Sequence, residues 1–211
     1  MQNVYNTIGI DFSGTRYALW KGVTDFLDTL DCYSLVCDIG CGNGKYLSYR
    51  SDLQMYACDA SSLLASIAKF KHRQSEVILA NALNLPYKNE AFDAIISIAV
   101  LHHINTHEGR QQFISEILRI LKPGGRALIT VWATQQDDNK RFKKWQKINE
   151  NNDYIVPYMQ KNKVVLDRFY HLFTETECVQ LITDQASIEK IEFQKNNWQI
   201  TILKNIWGVQ K

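Results

Sequence analysis

One stretch limits what this chain can fold into: Leu35-Val36-Cys37-Asp38-Ile39-Gly40-Cys41-Gly42-Asn43-Gly44-Lys45-Tyr46-Leu47. A short apolar run ends in an acid, and three glycines then alternate with other residues. The run reads as a buried strand, the glycines as a tight turn, and Lys45 onward as the start of a helix. Such a corner suits a nucleotide, because glycine lets the backbone approach a ligand closely and the first N–H groups of a helix are free to bind it.

The flanking chain repeats this alternation. Met55–Asp59, Val77–Asn81, Asp93–Ile98 and Arg126–Ala133 read as further strands. Between them lie a helix with Leu63, Leu64, Ile67 and Phe70 at apolar positions, capped by Ser61, and a helix with the stripe Phe113, Ile114, Ile117, Leu118 and Leu121. Pro123-Gly124-Gly125 is expected to end the latter. Strands alternating with helices argue for a parallel sheet covered on both faces. Before the corner, Val23, Phe26, Leu27 and Leu30 predict a helix over 20–30, while 11–17 reads as a loop or lid. After it, 134–165 is polar and carries a basic run, and is expected to be a flexible insertion or one ordered by a partner. Thr174, with Glu177 in the box position, predicts a cap for a helix holding Cys178, Leu181 and Ile182. Ile188–Gln194 and Trp198–Asn205 read as closing antiparallel strands.

The 211 residues suit one domain. Its expected parts are a lid and helix (1–31), a cofactor-binding core (32–133), a basic insertion (134–165) and a closing helix and strands (166–211). A net charge of +2 means that any nucleic-acid surface arises from local clustering. The five cysteines form no C-x-x-C pair and read as reduced thiols. No apolar run reaches the ~18 residues of a membrane span. The expected location is therefore the cytoplasm or the nucleus.

Asp59 follows Asp38 by about 20 residues, at the end of the second strand, where an acid accepts the two hydroxyls of a ribose. The glycine pattern G-x-G-x-G differs from the G-x-G-x-x-G of dinucleotide enzymes. With Asp59, Asn81-Ala82 and Phe92-Asp93 in order, 32–133 resembles the class I S-adenosylmethionine-dependent methyltransferases. The resemblance implies a Rossmann-like α/β fold: a mostly parallel seven-stranded sheet, helices on both faces and an antiparallel C-terminal strand. It implies S-adenosylmethionine as cofactor, held by Asp38, Gly40, Gly42, Gly44, Asp59, Asn81 and Ala82, with Asn81 accepting the adenine amine where an acid is frequent.

The outer segments resemble one family in particular. Phe12–Tyr17 with Trp20, Ile98–Ile104, Val131–Ala133 and Arg168–Phe173 are similar to the eukaryotic transfer-RNA methyltransferases that esterify 5-carboxymethyluridine at the wobble position. The resemblance implies that Arg16 holds the acceptor carboxylate. It also implies that Tyr17, Trp132, His102 and His171 position the substrate. No general base is required, since a carboxylate with a pKa near about 4 is already ionised at neutral pH. Of the adjacent His102 and His103, one is expected to border the pocket and the other to pack. No third ligand at suitable spacing supports a metal. For His171, pocket wall and packed core remain equal readings. Lys140, Arg141, Lys143, Lys144 and Lys147, with Phe142 and Trp145 between them, are candidates to contact the anticodon stem-loop. The resemblance further implies a small zinc-binding activator subunit at a sheet edge, with 77–80 the expected edge. Two other readings stay open: a small-molecule methyltransferase, and a non-catalytic RNA-binding subunit of this fold.

Overall fold

The computed structural model describes residues 2–14, 18–136, 142, 144–160 and 163–206. Its centre is a seven-stranded sheet in the order β3-β2-β1-β4-β5-β10-β9. The strands are β1 (Leu35–Ile39), β2 (Gln54–Asp59), β3 (Glu76–Leu79), β4 (Phe92–Ile98), β5 (Leu121–Trp132), β9 (Ala186–Gln194) and β10 (Asn197–Lys204). The first five run parallel, and β10 pairs antiparallel with both β5 and β9. The order reverses between β1 and β4, which opens a crevice at the carboxyl ends of these strands.

Apolar side chains leave both faces of the sheet. Ile39, Ile95, Ile129 and Ile200 meet Phe113, Ile117 and Leu118 of α4 (His107–Ile120) on one face. Val36, Ala57, Ile96 and Leu128 meet Val23, Phe26 and Leu27 of α2 (Lys21–Asp28) and Ala65 and Ala68 of α3 (Ser62–Lys71) on the other. Burying a side chain of this size contributes about 1.5–3 kcal/mol, so the stripe of α4 fixes one side of the crevice firmly. All five cysteines are free thiols. No described helix is long and apolar enough to cross a membrane.

The structure departs from expectation in four places. First, Gln2–Gly14 forms a helix, α1, where 11–17 reads as a loop; only its residues up to Gly14 are described. Second, Lys45 starts no α-helix. The chain from Gly42 to Ser48 makes tight turns, with Gly44 N–H donating to Cys41 O at 3.0 Å and Leu47 N–H to Gly44 O at 2.9 Å. Third, Pro123-Gly124-Gly125 lies inside β5. Leu121 already pairs with Phe92, and Gly124 at φ +76° lets the strand shift register before Arg126 joins Ala94.

Fourth, the described part of the insertion forms structure of its own. β6 (Gln146–Lys147), β7 (Asp153–Gln160) and β8 (Lys163–His171) form a separate antiparallel sheet. Tyr154, Val156, Tyr170 and Leu172 form its core, against Trp132, Phe142 and Trp145. The boundary expected at 165 and 166 falls within β8. α5 (Glu175–Leu181) follows, capped by Thr174 Oγ1, which accepts the N–H of Glu177 at 3.2 Å.

Candidate active site

A cavity of about 550 Å³ fills the crevice, a size that suits a nucleotide-bearing ligand. Its floor is the end of β1 hooked onto the end of β2. Gly40 and Cys41 N–H donate to Cys58 O at 2.8 and 3.0 Å, and Gly42 N–H donates to Asp59 Oδ2 at 2.8 Å. The other Asp59 oxygen accepts Ser61 N–H at 2.8 Å. Asp59 thus locks the glycine turn. A carboxylate has about four acceptor positions, so two remain for hydroxyl donors.

The glycines do different work. At Gly40 (φ +75°) a Cβ would meet Val100 Cγ2 at 2.3 Å, so the turn needs both the left-handed backbone and the close approach. At Gly42 (φ +58°) a Cβ would meet nothing within 4 Å, because it would enter the cavity that Gly42 lines.

Asp38, the penultimate residue of β1, is 2% exposed and lines the same cavity. Its Oδ2 is buried with no hydrogen-bond partner. Burial, then the nearby Asp59 charge, pushes its carboxyl up to about 7, against a smaller opposing pull from Lys45. A buried, unpartnered carboxylate is costly until a donor or cation reaches it. The arrangement fits a ligand bearing an ammonium group. Asp59 is likewise raised, by burial, against the N–H groups it accepts.

The far wall follows β4. Ala99 sits at φ +60°, a conformation a non-glycine residue adopts at a cost. It is held because its N–H donates to Thr130 O at 3.1 Å and Thr130 Oγ1 at 2.9 Å. This kink aims Val100 and the 3-10 turn Leu101–His103 at the cavity. His103 Nδ1 lies 3.2 Å from Phe169 O, which can only accept, so Nδ1 carries the proton. Nε2 therefore accepts from the Tyr5 hydroxyl at 2.7 Å. Burial lowers His103 to about 4, so the ring is neutral at physiological pH.

His103 borders the cavity and His102 packs. His102 is buried, stacked on Tyr170 at 4.8 Å between centroids and 6.2 Å from Trp132. Burial drives it well below the usual imidazole range.

The remaining candidates separate. Asp38, Gly40, Gly42, Asp59, Asn81 and Ala82 share the cavity. Asn81 Oδ1 accepts Leu83 N–H at 3.0 Å. Gly44 sits beneath, where a Cβ would meet His72 and Ala68 of the α3 segment. Trp132 packs on Trp145 and Tyr170, outside the cavity lining. His171 is also outside it: at 2% exposure, its Nδ1 and Nε2 each lie 2.6 Å from a carboxylate oxygen, of Asp153 and Glu177. Glu177 is thereby drawn away from the box position it was expected to serve.

Of the basic candidates, Lys144 is exposed, and Lys147 pairs with Glu150 at 2.8 Å. Phe142 and Trp145 are packed in the small sheet's core. Arg16, Tyr17, Lys140, Arg141 and Lys143 lie outside the described residues. Among the described residues no cluster of three His, Cys, Asp or Glu is arranged to hold a metal.

Sequence reasoning missed Tyr5 and Asn105 in the lining. Neither belongs to a spacing pattern. Phe169 belongs to the aromatic run 168–173, which did stand out.

A family model described as a methyltransferase domain matches residues 37–129. A tRNA (carboxymethyluridine(34)-5-O)-methyltransferase of Schizosaccharomyces pombe is 32% identical, over 97% of this chain and 96% of that protein. The chain belongs to the tRNA (carboxymethyluridine(34)-5-O)-methyltransferase family. An Arabidopsis thaliana member is 46% identical over 69% of this chain and 35% of its own length. This chain spans between 22% and 50% of the plant, vertebrate and budding-yeast members it matches. In structure the chain is similar to a SAM-dependent methyltransferase of Methanosarcina mazei (TM-score 0.74, 22% identical, 90% and 99% covered). It is also similar to a chain in the complex between the Haloferax volcanii Trm112 methyltransferase activator and a methyltransferase (TM-score 0.72, 12% identical, 97% of both covered). The chain is an S-adenosylmethionine-dependent methyltransferase domain, and the cavity that Asp38, Gly42 and Asp59 line is its candidate cofactor site.

Proposed function

We propose that this chain esterifies the carboxylate of 5-carboxymethyluridine at the wobble position of transfer RNA. The observation that carries this reading is the near end-to-end match to the S. pombe member of that name. When bound, S-adenosylmethionine supplies an electrophilic methyl group on a sulfonium. Asp38 would hold its ammonium group, Asp59 its ribose hydroxyls, and the Asn81-Ala82 segment would border its adenine.

The acceptor needs no base, because a carboxylate is already ionised at neutral pH. The walls agree with this. His103 is neutral, its Nε2 is engaged by Tyr5 and its Nδ1–H by Phe169 O, so it shapes the cavity and takes no proton. The protein's task is to align the acceptor and exclude water. α1 serves exclusion: Tyr5 reaches His103, Asn6 Oδ1 accepts from Ser61 Oγ at 2.7 Å, and the Ser13 carbonyl accepts from Asn43 Nδ2 at 3.1 Å.

Two surfaces support macromolecular partners. The basic run from Lys140 to Lys147, with Lys144 exposed, suits RNA phosphates. β3 is an edge strand, as expected for 77–80, with Leu79 55% exposed and Phe70 of the adjoining α3 74% exposed. An apolar edge is an aggregation hazard unless covered, and a Trm112-type activator is the cover we propose.

Wobble-nucleoside mass spectrometry tests the whole reading. Transfer RNA carrying 5-carboxymethyluridine is treated with the protein and S-adenosylmethionine, with and without a Trm112-type activator. The methyl ester is expected; unaltered carboxymethyluridine under both conditions refutes the proposal.

A further inference from the structure

β8 carries a cation into the wall between the small sheet and the cavity. Arg168 shares a face of β8 with Tyr170, and its guanidinium carbon lies 5.1 Å from the Tyr170 ring centroid and 5.2 Å from that of Tyr158. Its charge bears on Tyr5, His102 and His103, and the Tyr170 ring beneath it packs edge-on against His103 at 4.7 Å between centroids. Tyr5, His103 and the adjacent Phe169 line the cavity. Arg168 is therefore one side chain removed from the space where an acceptor must lie.

Among the described residues this cation has no ion-pair partner. Its Nε is buried with no hydrogen-bond partner. Asp11 reaches the same tyrosine, but its Oδ2 accepts the Tyr158 hydroxyl at 2.6 Å and makes no ion pair with Arg168. The other groups around it are phenols and imidazoles. Arg168 is half-buried with its Nε enclosed, and a cation held among neutral groups in this way gains from an arriving carboxylate. A guanidinium held against aromatic faces is also pre-oriented to grip a planar carboxylate with two parallel hydrogen bonds, which an ammonium cannot do. Arg16, the sequence's candidate for that task, lies outside the described residues, and Arg168 meets the requirement on its own surroundings.

We propose that Arg168 is a specificity residue that binds the anionic C5 substituent of the acceptor uridine and selects a carboxylate over a neutral group of the same shape. This rests on the function proposed above. The ion pair exists only before transfer, since the ester is neutral. Arg168 therefore acts on substrate affinity at least as strongly as on the transition state, and the product loses the grip that held the substrate.

The test uses the full chain and two anticodon stem-loops, one bearing 5-carboxymethyluridine and one the neutral 5-carbamoylmethyluridine. Binding is measured for both with S-adenosylhomocysteine present, and KM and kcat for the first. The wild-type protein is expected to prefer the carboxylate by about tenfold or more. Arg168→Gln is expected to cut that preference to within about twofold. It should raise KM more than it lowers kcat, and leave S-adenosylhomocysteine affinity unchanged. Arg168→Lys, which keeps charge without the fork, should recover part of the preference. An Arg168→Gln protein that keeps the full preference overturns the proposal, as does one that loses both stem-loops equally, which would make Arg168 a packing residue. The preference is read from binding alone, so a wild-type protein that discriminates but transfers no methyl group refutes the proposed function and leaves the role of Arg168 standing.

Discussion

If Asp38 holds the cofactor's ammonium as proposed, cofactor binding depends on pH with a calculable slope. Its carboxyl lies at about 7 in the cofactor-free cradle, against 3.8 for an ordinary aspartate. A ligand ammonium that pairs with Oδ2 requires the ionised form, so binding expels the proton that Asp38 holds below pH 7. The protonated fraction is half at pH 7 and roughly ten-elevenths at pH 6. Affinity should then fall by about fivefold between those values, or ~1 kcal/mol.

The sign for stability is the opposite of the usual one for an acid. A raised carboxyl costs nothing below its unfolded pKa of about 4. The cost grows as pH rises, at about 1.4 kcal/mol per unit, and is complete above 7 at roughly 4 kcal/mol. Asp38→Asn should therefore raise the Tm of the cofactor-free protein at pH 8, with no such gain near pH 4. Calorimetric titration with S-adenosylhomocysteine checks the binding arm, in two buffers of different ionisation enthalpy to count protons. About half a proton should be released at pH 7, and Asp38→Asn should bind weakly with no pH slope between 6 and 7. An unchanged slope in that variant would refute the linkage to Asp38.

Four other outcomes follow from the geometry. Gly42→Ala should weaken S-adenosylhomocysteine binding by tenfold or more while moving Tm by only a few degrees, since its Cβ enters the cavity and costs about 1 kcal/mol of left-handed strain. Gly40→Ala, whose Cβ would lie 2.3 Å from Val100 Cγ2, should instead lower Tm clearly in thermal unfolding. His171→Leu removes both ring nitrogens that face Asp153 and Glu177 and should cost about 2–3 kcal/mol, read in urea unfolding, with S-adenosylhomocysteine affinity unchanged. Lys144→Glu should weaken transfer-RNA binding and flatten its salt dependence; an unchanged slope in a salt titration would make Lys144 a bystander.

The glycine corner was legible because its physics is local. Gly40 and Gly42 need φ values that other residues resist, and the acids near the ends of β1 and β2 stand at fixed places beside them. α4 was legible because Phe113, Ile114, Ile117 and Leu118 repeat at the helical period. α1 escaped because it buries little apolar surface, Ile8 above all, and is held by polar side chains whose partners are distant in sequence. The small sheet did leave a trace, since Tyr154, Val156 and Tyr158 are buried in alternation. Pro157 and the surrounding lysines and asparagines hid it. Arg168 was visible only as part of an aromatic run. Its lack of an ion-pair partner among the described residues is a fact of three dimensions that no spacing encodes.

The way α1 is fastened has a kinetic consequence. Its described ties include Tyr5 to His103, Asn6 to Ser61, Ser62 and Leu63, Asp11 to Tyr158, and Ser13 to Asn43 and Lys71. They are mostly polar and exchangeable with water, each worth about 1 kcal/mol net, unlike the apolar contacts that hold the sheet. Elements held this way open locally ahead of a packed core. The anchors His103, Ser61 and Asn43 line the cavity itself. Amide exchange along Asn6–Ser13 and the off-rate of a bound nucleotide should therefore rise and fall together.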